Sequence, residues 1–445
     1  MNRLTVRTLS RATSCYRLLA FTSFICVLKT IIAFLKMDLG LGLVGTLDET
    51  LEAKEDFLDK TTWNVEKMQH LAKVQKVYNE DVFGPVTKET VVIAVQVHDR
   101  IHYLEALIES MSQVSGIESA LLIFSHDVWD PEINELIAKI DFAMYTQIFY
   151  PYSNQLHRGQ FPDDSAQDCP RDISREEATR LKCLNAKYPD KFGHYREARV
   201  TQMKHHWWWK ANRIFHQLRV TKDVTRLVLF LEEDLYLTKD ALHTLRLLDS
   251  KRLDQDDLIV MGSRHYGPQV SRQAFTAEQR RLANFVPWHR FHVDGWVFTR
   301  SLWTKVRGCG HFFCSHDDYD YNLTLNHLNL KCLADGIRAL VVRSPRVIHT
   351  GKCGMYNFDV NASRCDAKEV VKSIDQVLSG ASVFAEEMVV KRESEARADL
   401  FTAGGFGDIR DRALCILMSS DLHGSSSDPS MEELILARNM IKMEF

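Results

Sequence analysis

Residues 89–127 read ETVVIAVQVHDRIHYLEALIESMSQVSGIESALLIFSHD and set the fold class. The first part, ETVVIAVQV (89–97), is an almost continuous apolar run that is typical of a buried strand. The part HYLEALIESMSQV (102–114) repeats its apolar residues about every 3.6 positions, which predicts a helix. The part SALLIFSHD (119–127) is a second buried-strand pattern. A strand, a helix and a strand in this order predict a parallel sheet and an α/β fold.

A third strand pattern, RLVLFL (226–231), leads into the acidic residues Glu232, Glu233 and Asp234. In open α/β sheets, ligands bind beyond the carboxyl ends of the strands. Carboxylates at that edge suit a hard cation such as Mg²⁺ or Mn²⁺, and a small number of them leaves coordination positions for substrate phosphates. Such a cation would bridge a nucleotide diphosphate and offset its charge as a leaving group. The alternative is a solvated acidic turn before the next helix.

The composition is that of an ordinary globular protein. The chain has 445 residues, of which 45% are hydrophobic and 26% charged, and 56 basic against 59 acidic residues give a net charge of −3. These values exclude a disordered chain, a collagen, a coiled coil and a polytopic membrane protein. A nucleic-acid-binding protein usually carries a surplus of basic residues, so we expect no nucleic-acid partner.

The N-terminal region carries a membrane signal. LLAFTSFICVLKTIIAFL (18–35) is apolar apart from Lys29 and a few small hydroxyls, and four arginines precede it without an acidic residue. About 18 residues are just enough to span a bilayer as a helix, and the basic flank should stay cytoplasmic. A cleaved signal peptide is the alternative. We expect a cytoplasmic tail over 1–17, a signal-anchor helix over 18–35, a charged stem over 36–88 and a lumenal domain over 89–445.

The cysteines indicate an oxidising compartment. Eight of the ten cysteines lie beyond the predicted anchor, and none of them forms a CxxC motif. An even number without zinc-type spacing favours a disulfide framework in a lumen. Eight cysteines allow on the order of 100 pairings, so the residues alone leave the pairing open. Two N-x-S/T sequons, at Asn322 and Asn361, agree with the secretory route but do not establish it.

KHHWWWK (204–210) is an unusual string. Three consecutive tryptophans should not all face one core in a helix or a strand, so at least one should meet solvent, a ligand or another loop. Aromatic faces stack on sugars or bases, and the neighbouring Lys and His could hold phosphate. The alternative is an amphipathic core helix over 202–218. A zinc site made of His205 and His206 is not expected, because adjacent helical positions diverge by about 100°.

Two further places could carry chemistry. CSHDDYDYN (314–322) concentrates Asp317, Asp318 and Asp320 beside aromatic residues. A general base could lie there if burial or like charge tuned its pKa, and a solvated turn is the alternative. His349 closes a short apolar strand and could be a metal ligand, although a single His is more often structural.

These motifs resemble one family. The chain resembles the N-acetylglucosaminyltransferase II family over about residues 91–415, in unbroken order. The strings that carry the resemblance are QVHDR (96–100), IFSHD (123–127), DCPRD (168–172), FGHYREA (192–198), KHHWWWK (204–210), FLEED (230–234), DDY (317–319), the run 349–355 and GFGDIRD (405–411).

The resemblance implies a GT-A glycosyltransferase fold, which is a mixed, mainly parallel sheet flanked by helices. It also implies an inverting transfer of GlcNAc from UDP-GlcNAc to the 2-hydroxyl of the α1,6-arm mannose of an N-glycan, with manganese as the cofactor, in the Golgi membrane. The implied metal ligands are Asp234 and His349. The implied substrate-binding residues are Gln96, Val97, His98, Asp99, Arg100, Asp127, Gln202, Met203, Lys204, His205 and His206. The implied disulfides are Cys169–Cys183, Cys309–Cys332, Cys314–Cys415 and Cys353–Cys365.

The chain departs from the family at the catalytic base. The family's base is the Asp of a DDYNWDW run, whereas residues 317–323 read DDYDYNL, so Asn322 takes that position. An amide cannot accept a proton at neutral pH. Either Asp320 or Asp318 is the base, with Asp320 favoured, or the chain is a catalytically weakened homologue that binds glycan or nucleotide sugar.

Two other points stay open. A transferase that acts on the α1,3 arm is a third alternative, although KHHWWWK is typical of the α1,6-arm enzymes. The loop after Gly262 also differs from the family pattern, which leaves open whether Arg264 or Arg272 contacts substrate.

Overall fold

The computed structural model describes residues 67–68, 70–223, 226–262, 271–288, 294–351, 367–379, 384–393 and 401–419. Residues from Lys67 onward form one compact unit. The predicted tail and anchor, and most of the predicted stem, lie outside the described residues. None of the helices in the described ranges is long and apolar enough to cross a membrane.

The unit is built on a nine-stranded mixed sheet. The described strands are β1 (Val92–Val97), β2 (Leu121–His126), β3 (Met144–Phe149), β4 (Leu227–Glu232), β5 (Leu235–Leu237), β6 (Leu258–Val260), β7 (Leu282–Pro287), β8 (Trp296–Thr299), β9 (Arg338–Val342), β10 (Val347–His349) and β11 (Val389–Arg392). The large sheet has the order β11-β7-β9-β6-β8-β4-β1-β2-β3, and β10 and β5 form a separate antiparallel pair. In the large sheet as described, five of the eight pairings are parallel.

Alternate residues of the central strands pack on opposite faces of the sheet. On β1, Val92 and Ala94 belong to one apolar cluster, and Ile93 and Val95 belong to another. Burial on both faces explains the nearly continuous apolar pattern of the segment. The parallel sheet predicted from residues 89–127 is confirmed, because β1 pairs in parallel with both β2 and β4.

Helices cover both faces. The described α-helices are α1 (Glu80–Phe83), α2 (Ile101–Ser112), α3 (Pro131–Ala138), α4 (Arg175–Leu181), α5 (Ala198–Asn212), α6 (Ala241–Asp249), α7 (Ala277–Arg280), α8 (Arg300–Gly308), α9 (Gly310–Ser315), α10 (Tyr321–Lys331), α11 (Lys368–Leu378) and α12 (Ile409–Ser419). Helices α2, α3 and α6 pack on the face that carries Ile93, and α5, α8, α9, α10 and α12 pack on the face that carries Val92. The result is a three-layer α/β/α arrangement, which agrees with the predicted mixed sheet flanked by helices.

Local capping chemistry fixes where several helices begin. Asp130 caps α3, since its Oδ1 accepts hydrogen bonds from two backbone amides of the first turn, and Pro131 takes the first helical position. Thr299 caps α8 by accepting a hydrogen bond from the Leu302 amide at 3.0 Å. These starts follow from the local sequence and set the direction of each helix over the sheet.

Three of the four implied disulfides are confirmed. The bonds Cys169–Cys183, Cys309–Cys332 and Cys314–Cys415 are present. The fourth implied pair, Cys353–Cys365, lies outside the described residues. The Cys314–Cys415 bond joins α9 to α12 across 101 sequence positions.

The described part of the predicted stem packs on the sheet. The Tyr78 amide donates to the Tyr145 carbonyl at 2.8 Å, and the two rings stack with their centroids 4.8 Å apart. The Asn79 Nδ2 atom donates to the carbonyls of Ile140 and Ala143 at 2.8 and 2.9 Å. The stem boundary stays a prediction, but residues just before position 88 are held against β3.

Candidate active site

The carboxyl ends of β1, β2 and β4 lie side by side at one edge of the sheet. Gln96 on β1 is level with Ser125 on β2 and with Glu232 on β4. Because the three strands are parallel, the loops that follow them meet at this edge. These loops carry the predicted residues His98, Asp99, Arg100, Asp127 and Asp234.

Asp234 and His349, the predicted metal ligands, face each other. The Asp234 Oδ2 and His349 Nε2 atoms lie 3.4 Å apart. The pairing of β5 with β10 produces this approach, since it sets His349 opposite Leu235. Thr350 fixes the turn, because its backbone amide and its Oγ1 each donate to the Asp234 carbonyl at 2.8 Å.

Opposite charges hold this pair in its charged form. Burial disfavours a charged imidazole, but the hydrogen bond and charge of Asp234, with the charges of Asp294 and Glu232, raise the pKa of His349 to about 9. Burial also opposes ionisation of Asp234, but Arg100 and His349 outweigh it and hold the pKa of that carboxyl below its ordinary range. The Asp234 carboxylate is therefore ionised at neutral pH.

The residues present fit a hard divalent cation. A carboxylate and an imidazole meet at one point, and the imidazole would release its proton when it binds a metal. The buried Asp234 Oδ1 atom has no hydrogen-bond partner among the described residues. Gly351 keeps the space open, since a Cβ there would lie 2.4 Å from Asp234 Oδ2 and 2.9 Å from His349 Cε1. The described ranges contain no group of three or more His, Cys, Asp or Glu that could hold a metal. Two such ligands leave coordination positions that oxygen atoms of a substrate or of water could take.

Arg100 and Glu233 tie the β1 loop to the end of β4. The Arg100 Nε atom donates to Glu233 Oε1 at 2.7 Å, and its Nη1 donates to Asp234 Oδ2 at 2.8 Å. Glu233 Oε2 accepts from the His98 amide at 2.7 Å. The guanidinium therefore balances two buried carboxylates beside the candidate cation position. The acidic triplet alone does not distinguish Glu233 from its neighbours, since only the fold shows which carboxylates face Arg100.

Asp127 gathers several predicted substrate-binding residues. Its Oδ1 atom lies 2.6 Å from His98 Nδ1, and its Oδ2 accepts from Gln202 Nε2 at 3.0 Å. His206 Nδ1 lies 3.6 Å from the same oxygen, and His206 Nε2 lies 2.8 Å from Ser125 Oγ. Burial works against a charged His98, but Asp127 above all raises the pKa of that imidazole to about 9. The result is an ionised His98–Asp127 pair at the end of β2.

Lys204 and His205 lie away from this edge. The Lys204 Nζ atom donates to the carbonyls of His316 and Asp318 at 3.1 and 2.7 Å. His205 Nε2 lies 2.9 Å from the Asp411 carbonyl. Both side chains are buried. In this structure they support the loop before α10 and the start of α12, and they do not reach the ends of β1, β2 and β4.

The remaining predicted binding residues occupy varied positions. Val97 is buried within β1, Asp99 is exposed beside His98, and Met203 is partly exposed on α5. The Gln96 Oε1 atom accepts a hydrogen bond from Lys210 Nζ at 2.9 Å. Lys210, the last residue of KHHWWWK, is thus a buried support of this strand end.

The three tryptophans of α5 are buried and none meets solvent, but Trp209 packs edge-on against Tyr150 in the loop after β3, so the alternative that one of them would meet another loop is confirmed. Trp207, Trp208 and Trp209 are 2%, 0% and 9% exposed and belong to one apolar cluster. Trp207 stacks on Tyr321 with the ring centroids 5.0 Å apart, and Trp208 stacks on Phe313 at 4.2 Å. The three fit one cluster because the sheet and the neighbouring helices bury every residue of α5 from Lys204 to Asn212.

The two predicted catalytic carboxylates have different surroundings. Asp318 is buried, and its Oδ1 and Oδ2 accept hydrogen bonds from the amides of Asp320 and Ala403 at 2.8 and 2.7 Å. Asp320 caps α10, since its Oδ1 accepts from the amides of Asn322 and Leu323 at 2.7 and 3.2 Å. Asp318 therefore braces a loop with both oxygens, whereas Asp320 Oδ2 takes no part in the cap.

The start of α10 lies against the acidic edge of the sheet. The Tyr321 hydroxyl donates to Glu232 Oε1. Burial and then the charges of Glu232, Asp320 and Asp294 raise the pKa of Tyr321 well above its ordinary value. Tyr321 stays a neutral phenol, and its contact brings the Asp320 loop next to the end of β4. Asn322, at the position of the family's base, is buried in the first turn of α10.

Asp294 is a site residue that the sequence analysis missed. It comes just before β8, whose antiparallel pairing with β4 ends at Phe230 and Trp296, and the charges of His349, Glu232 and Asp234 act on it. Burial raises the pKa of Asp294 to about 7 against the charge of His349. A single Asp before a short strand gives no recognisable signal, and only the pairing of β8 with β4 brings it to the site.

Comparison with known proteins identifies the family. The family model described as N-acetylglucosaminyltransferase II (MGAT2) matches residues 65–415. A protein of Rattus norvegicus named alpha-1,6-mannosyl-glycoprotein 2-beta-N-acetylglucosaminyltransferase is 37% identical over 346 residues, which cover 77% of each chain. Proteins of the same name from Homo sapiens and Arabidopsis thaliana are 35% and 30% identical, over 77% and 79% of this chain and 76% and 80% of theirs.

Among solved structures, the chain matches S. aureus TarS in complex with UDP-GlcNAc at 11% identity and a TM-score of 0.32, over 78% of this chain and 79% of that chain. The sequence matches carry the assignment, since the family model spans most of the chain and several relatives are at least 30% identical. The chain belongs to the N-acetylglucosaminyltransferase II family.

Proposed function

We propose that the chain transfers GlcNAc from UDP-GlcNAc to the 2-hydroxyl of the α1,6-arm mannose of N-glycans, with inversion at the anomeric carbon. Its family membership supports the activity, and its relatives are named for it. The single observation that supports it best is the 3.4 Å approach of Asp234 to His349 at the carboxyl edge of a mainly parallel sheet. This edge is where a nucleotide sugar would bind in a GT-A fold.

The charges at the edge suit a nucleoside diphosphate. Arg100 offers a fixed positive charge beside Asp234, and the His98–Asp127 pair offers a donor and an acceptor for the nucleoside. Manganese held by Asp234 and His349 would neutralise the charge that develops on the departing diphosphate. These residues would orient the donor so that one face of its anomeric carbon is turned to the acceptor.

The transfer itself is a direct displacement. A carboxylate on the acceptor side takes the proton of the mannose hydroxyl, whose oxygen attacks the anomeric carbon from the face opposite the diphosphate. UDP leaves with the bonding electrons, and a beta linkage forms. Asp320 is the base that the sequence predicts. Asp318 is less suited to this role, since backbone amides occupy both of its oxygens.

The test is transfer from UDP-GlcNAc to an N-glycan whose α1,6-arm mannose is free, followed by mass spectrometry. A glycan lacking that mannose is the control acceptor. We expect product with the first glycan only, loss of activity in EDTA and recovery on addition of Mn²⁺. Activity that survives chelation would refute the metal role, and product from the control acceptor would refute the assigned acceptor site.

A second candidate is a homologue that binds nucleotide sugar without transferring it. Asn322 at the position of the family's base favours it. Calorimetry separates the two candidates, since this one predicts UDP-GlcNAc binding together with no detectable product in the transfer assay.

We also propose that residues 18–35 anchor the protein in the Golgi membrane, with the unit that begins at Lys67 in the lumen. The apolar run after a basic flank supports this. Alkaline carbonate extraction and protease protection of the full-length chain in microsomes test it. Release into the soluble fraction would contradict the anchor.

A further inference from the structure

Most carboxylates at the acidic edge already accept hydrogen bonds from protein groups. Glu232 accepts a hydrogen bond from the Tyr321 hydroxyl, and Glu233 accepts one from the Arg100 guanidinium. Asp318 accepts from two backbone amides, and Asp320 caps α10. A general base needs an oxygen that can reach the acceptor hydroxyl. Carboxylates that hold the protein together are poor candidates for that role.

Asp294 differs from these carboxylates. The residue is partly exposed, yet its Oδ2 atom is buried and has no hydrogen-bond partner among the residues that the structure describes. A buried carboxylate oxygen without a partner is unfavourable, and such groups in native proteins call for an explanation such as catalysis or a missing ligand. A donor from outside the described residues, such as a substrate hydroxyl that enters the site, would satisfy this oxygen.

The main chain holds Asp294 in place. Its carbonyl accepts from the Gly262 amide at 3.0 Å. A Cβ atom at Gly262 would lie 2.5 Å from the Asp294 Cβ. Any larger residue at position 262 would therefore clash with Asp294, so Gly262 is needed for Asp294 to take this position.

Asp294 also lies near the residues that are proposed to hold the donor and near the start of α10. It comes two residues before Trp296, where the pairing of β8 with β4 ends, and the charges of His349, Glu232 and Asp234 act on its carboxyl group. Trp296 packs edge-on against Tyr321, the first residue of α10, with the ring centroids 5.9 Å apart. The charge of Asp294 acts on both His349 and Tyr321, so its carboxyl group is near the Asp234–His349 pair and near the start of α10, where Asn322 supplies only an amide.

We propose that Asp294 is the proton acceptor of the transfer, an inference that rests on the proposed function. The Asp294 carboxylate takes the proton of the mannose 2-hydroxyl while that oxygen forms its bond to C1 of GlcNAc. The bond between C1 and the β-phosphate oxygen breaks, and its electron pair leaves with UDP. The proton passes from Asp294 to solvent after the products depart.

The test compares Asp294→Asn with Asp320→Asn in the full-length chain. Both replacements keep the shape of the side chain, and Asn caps a helix as well as Asp does. We expect Asp294→Asn to lower kcat by about 100-fold or more, with the KM for UDP-GlcNAc within about threefold of the unaltered chain. The loss from Asp320→Asn should be smaller. Glu135→Gln, an exposed carboxylate on α3, is the matched control and should keep the activity.

A second variant guards against a simple loss of structure. Asp294→Ala opens a space for a small carboxylate, so added formate should restore part of kcat in that variant and none in Asp320→Ala. Calorimetry with UDP should give an unchanged affinity for Asp294→Asn, and thermal unfolding should show that it is folded.

Three results would overturn the inference. These are an Asp294→Asn variant with kcat within threefold of the unaltered chain, a larger loss for Asp320→Asn than for Asp294→Asn, and a loss of UDP-GlcNAc binding that accounts for the lost rate. Absence of transfer by the unaltered chain would refute the proposed function and this inference together. Transfer by the unaltered chain with an active Asp294→Asn variant would refute the inference alone.

Discussion

Lys204 carries an amino group into a fully enclosed part of the protein. Its Nζ atom donates to two carbonyls and lies 3.7 Å from the centre of the Phe406 ring. Burial lowers the pKa of Lys204 to about 7, although nearby carboxylates such as Asp318 favour the charged form. At the scale of single residues, burial therefore sets the charge state of a side chain that the sequence suggested for binding.

The lowered pKa predicts how stability depends on pH. In the unfolded chain a lysine has a pKa of about 10.4, so between pH 7 and 10 the unfolded state binds more protons at this position than the native state. The free energy of unfolding of the unaltered chain should therefore rise from pH 7 to pH 9 relative to that of Lys204→Met. Urea unfolding at pH 7, 8 and 9 measures this difference.

Lys139→Met, at an exposed position on the same molecule, is the control and should show no such trend. Burial raises the pKa of Asp318 to about 6, which is below the range of pH 7 to 9, so this group does not contribute to the expected rise in stability. A difference between the unaltered chain and Lys204→Met that stays constant with pH would contradict the prediction.

Asp234 offers a second prediction at this scale. Loss of a residue that only hydrogen-bonds to a metal ligand typically weakens metal binding by about 10- to 100-fold. If the Asp234 carboxylate binds the cation directly, Asp234→Asn should weaken Mn²⁺ binding by at least that factor. Electron paramagnetic resonance of free Mn²⁺ measures the affinity without any turnover. Glu135→Gln is the control, and equal affinities for the two variants would exclude Asp234 as a ligand.

Among the elements, α5 combines a core function with a site function. Gln202 and His206 are one turn apart and share the face that meets Asp127. Lys204 and Trp208 share another face and both approach Phe313. A helix that is buried on more than one face can contribute to the site and to the core at once, because each face has its own partners.

Trp208 is the side chain of α5 that should matter most for stability. It is fully buried and contacts the rings of Phe313 and Trp303. Trp208→Ala should lower the free energy of unfolding by about 3–5 kcal/mol, since it leaves a cavity in a packed core. Denaturant unfolding gives the value, and Phe192→Ala, at a side chain that is 56% exposed, should cost far less. Similar losses for both variants would contradict the packing described here.

Over the whole molecule, α12 is fastened to distant parts of the chain. The Cys314–Cys415 bond joins it to α9. Arg196 donates to both carboxylate oxygens of Asp411, at 2.7 and 3.0 Å, and both side chains are buried. These links bring the C-terminal described helix against α5 and close the layer of helices that supports the loop of Asp318 and Asp320.

The disulfides should differ in their effect on stability. In the chain-entropy account a crosslink over about 100 residues stabilises by about 4.7 kcal/mol and one over about 15 residues by about 3 kcal/mol. The separations here are 101 and 14 positions. Replacing Cys314 and Cys415 by Ser should therefore lower the free energy of unfolding more than replacing Cys169 and Cys183. Denaturant unfolding of the two double variants measures this difference, and a count of free thiols confirms that only the intended disulfide is missing. A larger loss for the Cys169 and Cys183 variant would contradict the chain-entropy account.

The pattern of residues 89–127 was enough to predict β1, α2 and β2, because those elements depend on periodicities within a short stretch of chain. The pairing of the three observed disulfides was predicted from the family resemblance, because the cysteines alone leave the pairing open. The approach of Asp234 to His349 was also expected from that resemblance, and its distance follows from the pairing of β5 with β10.

Other properties depend on contacts between segments that are far apart in the chain. The burial of all three tryptophans requires that helices and sheet enclose α5, and the place of Asp294 requires that β8 lies antiparallel to β4. The charge states of Lys204 and His349 depend on burial and on neighbours from other elements. Local sequence specifies strands, helices and their caps, whereas solvent access and the partners of a charged group exist only once the layers have packed together.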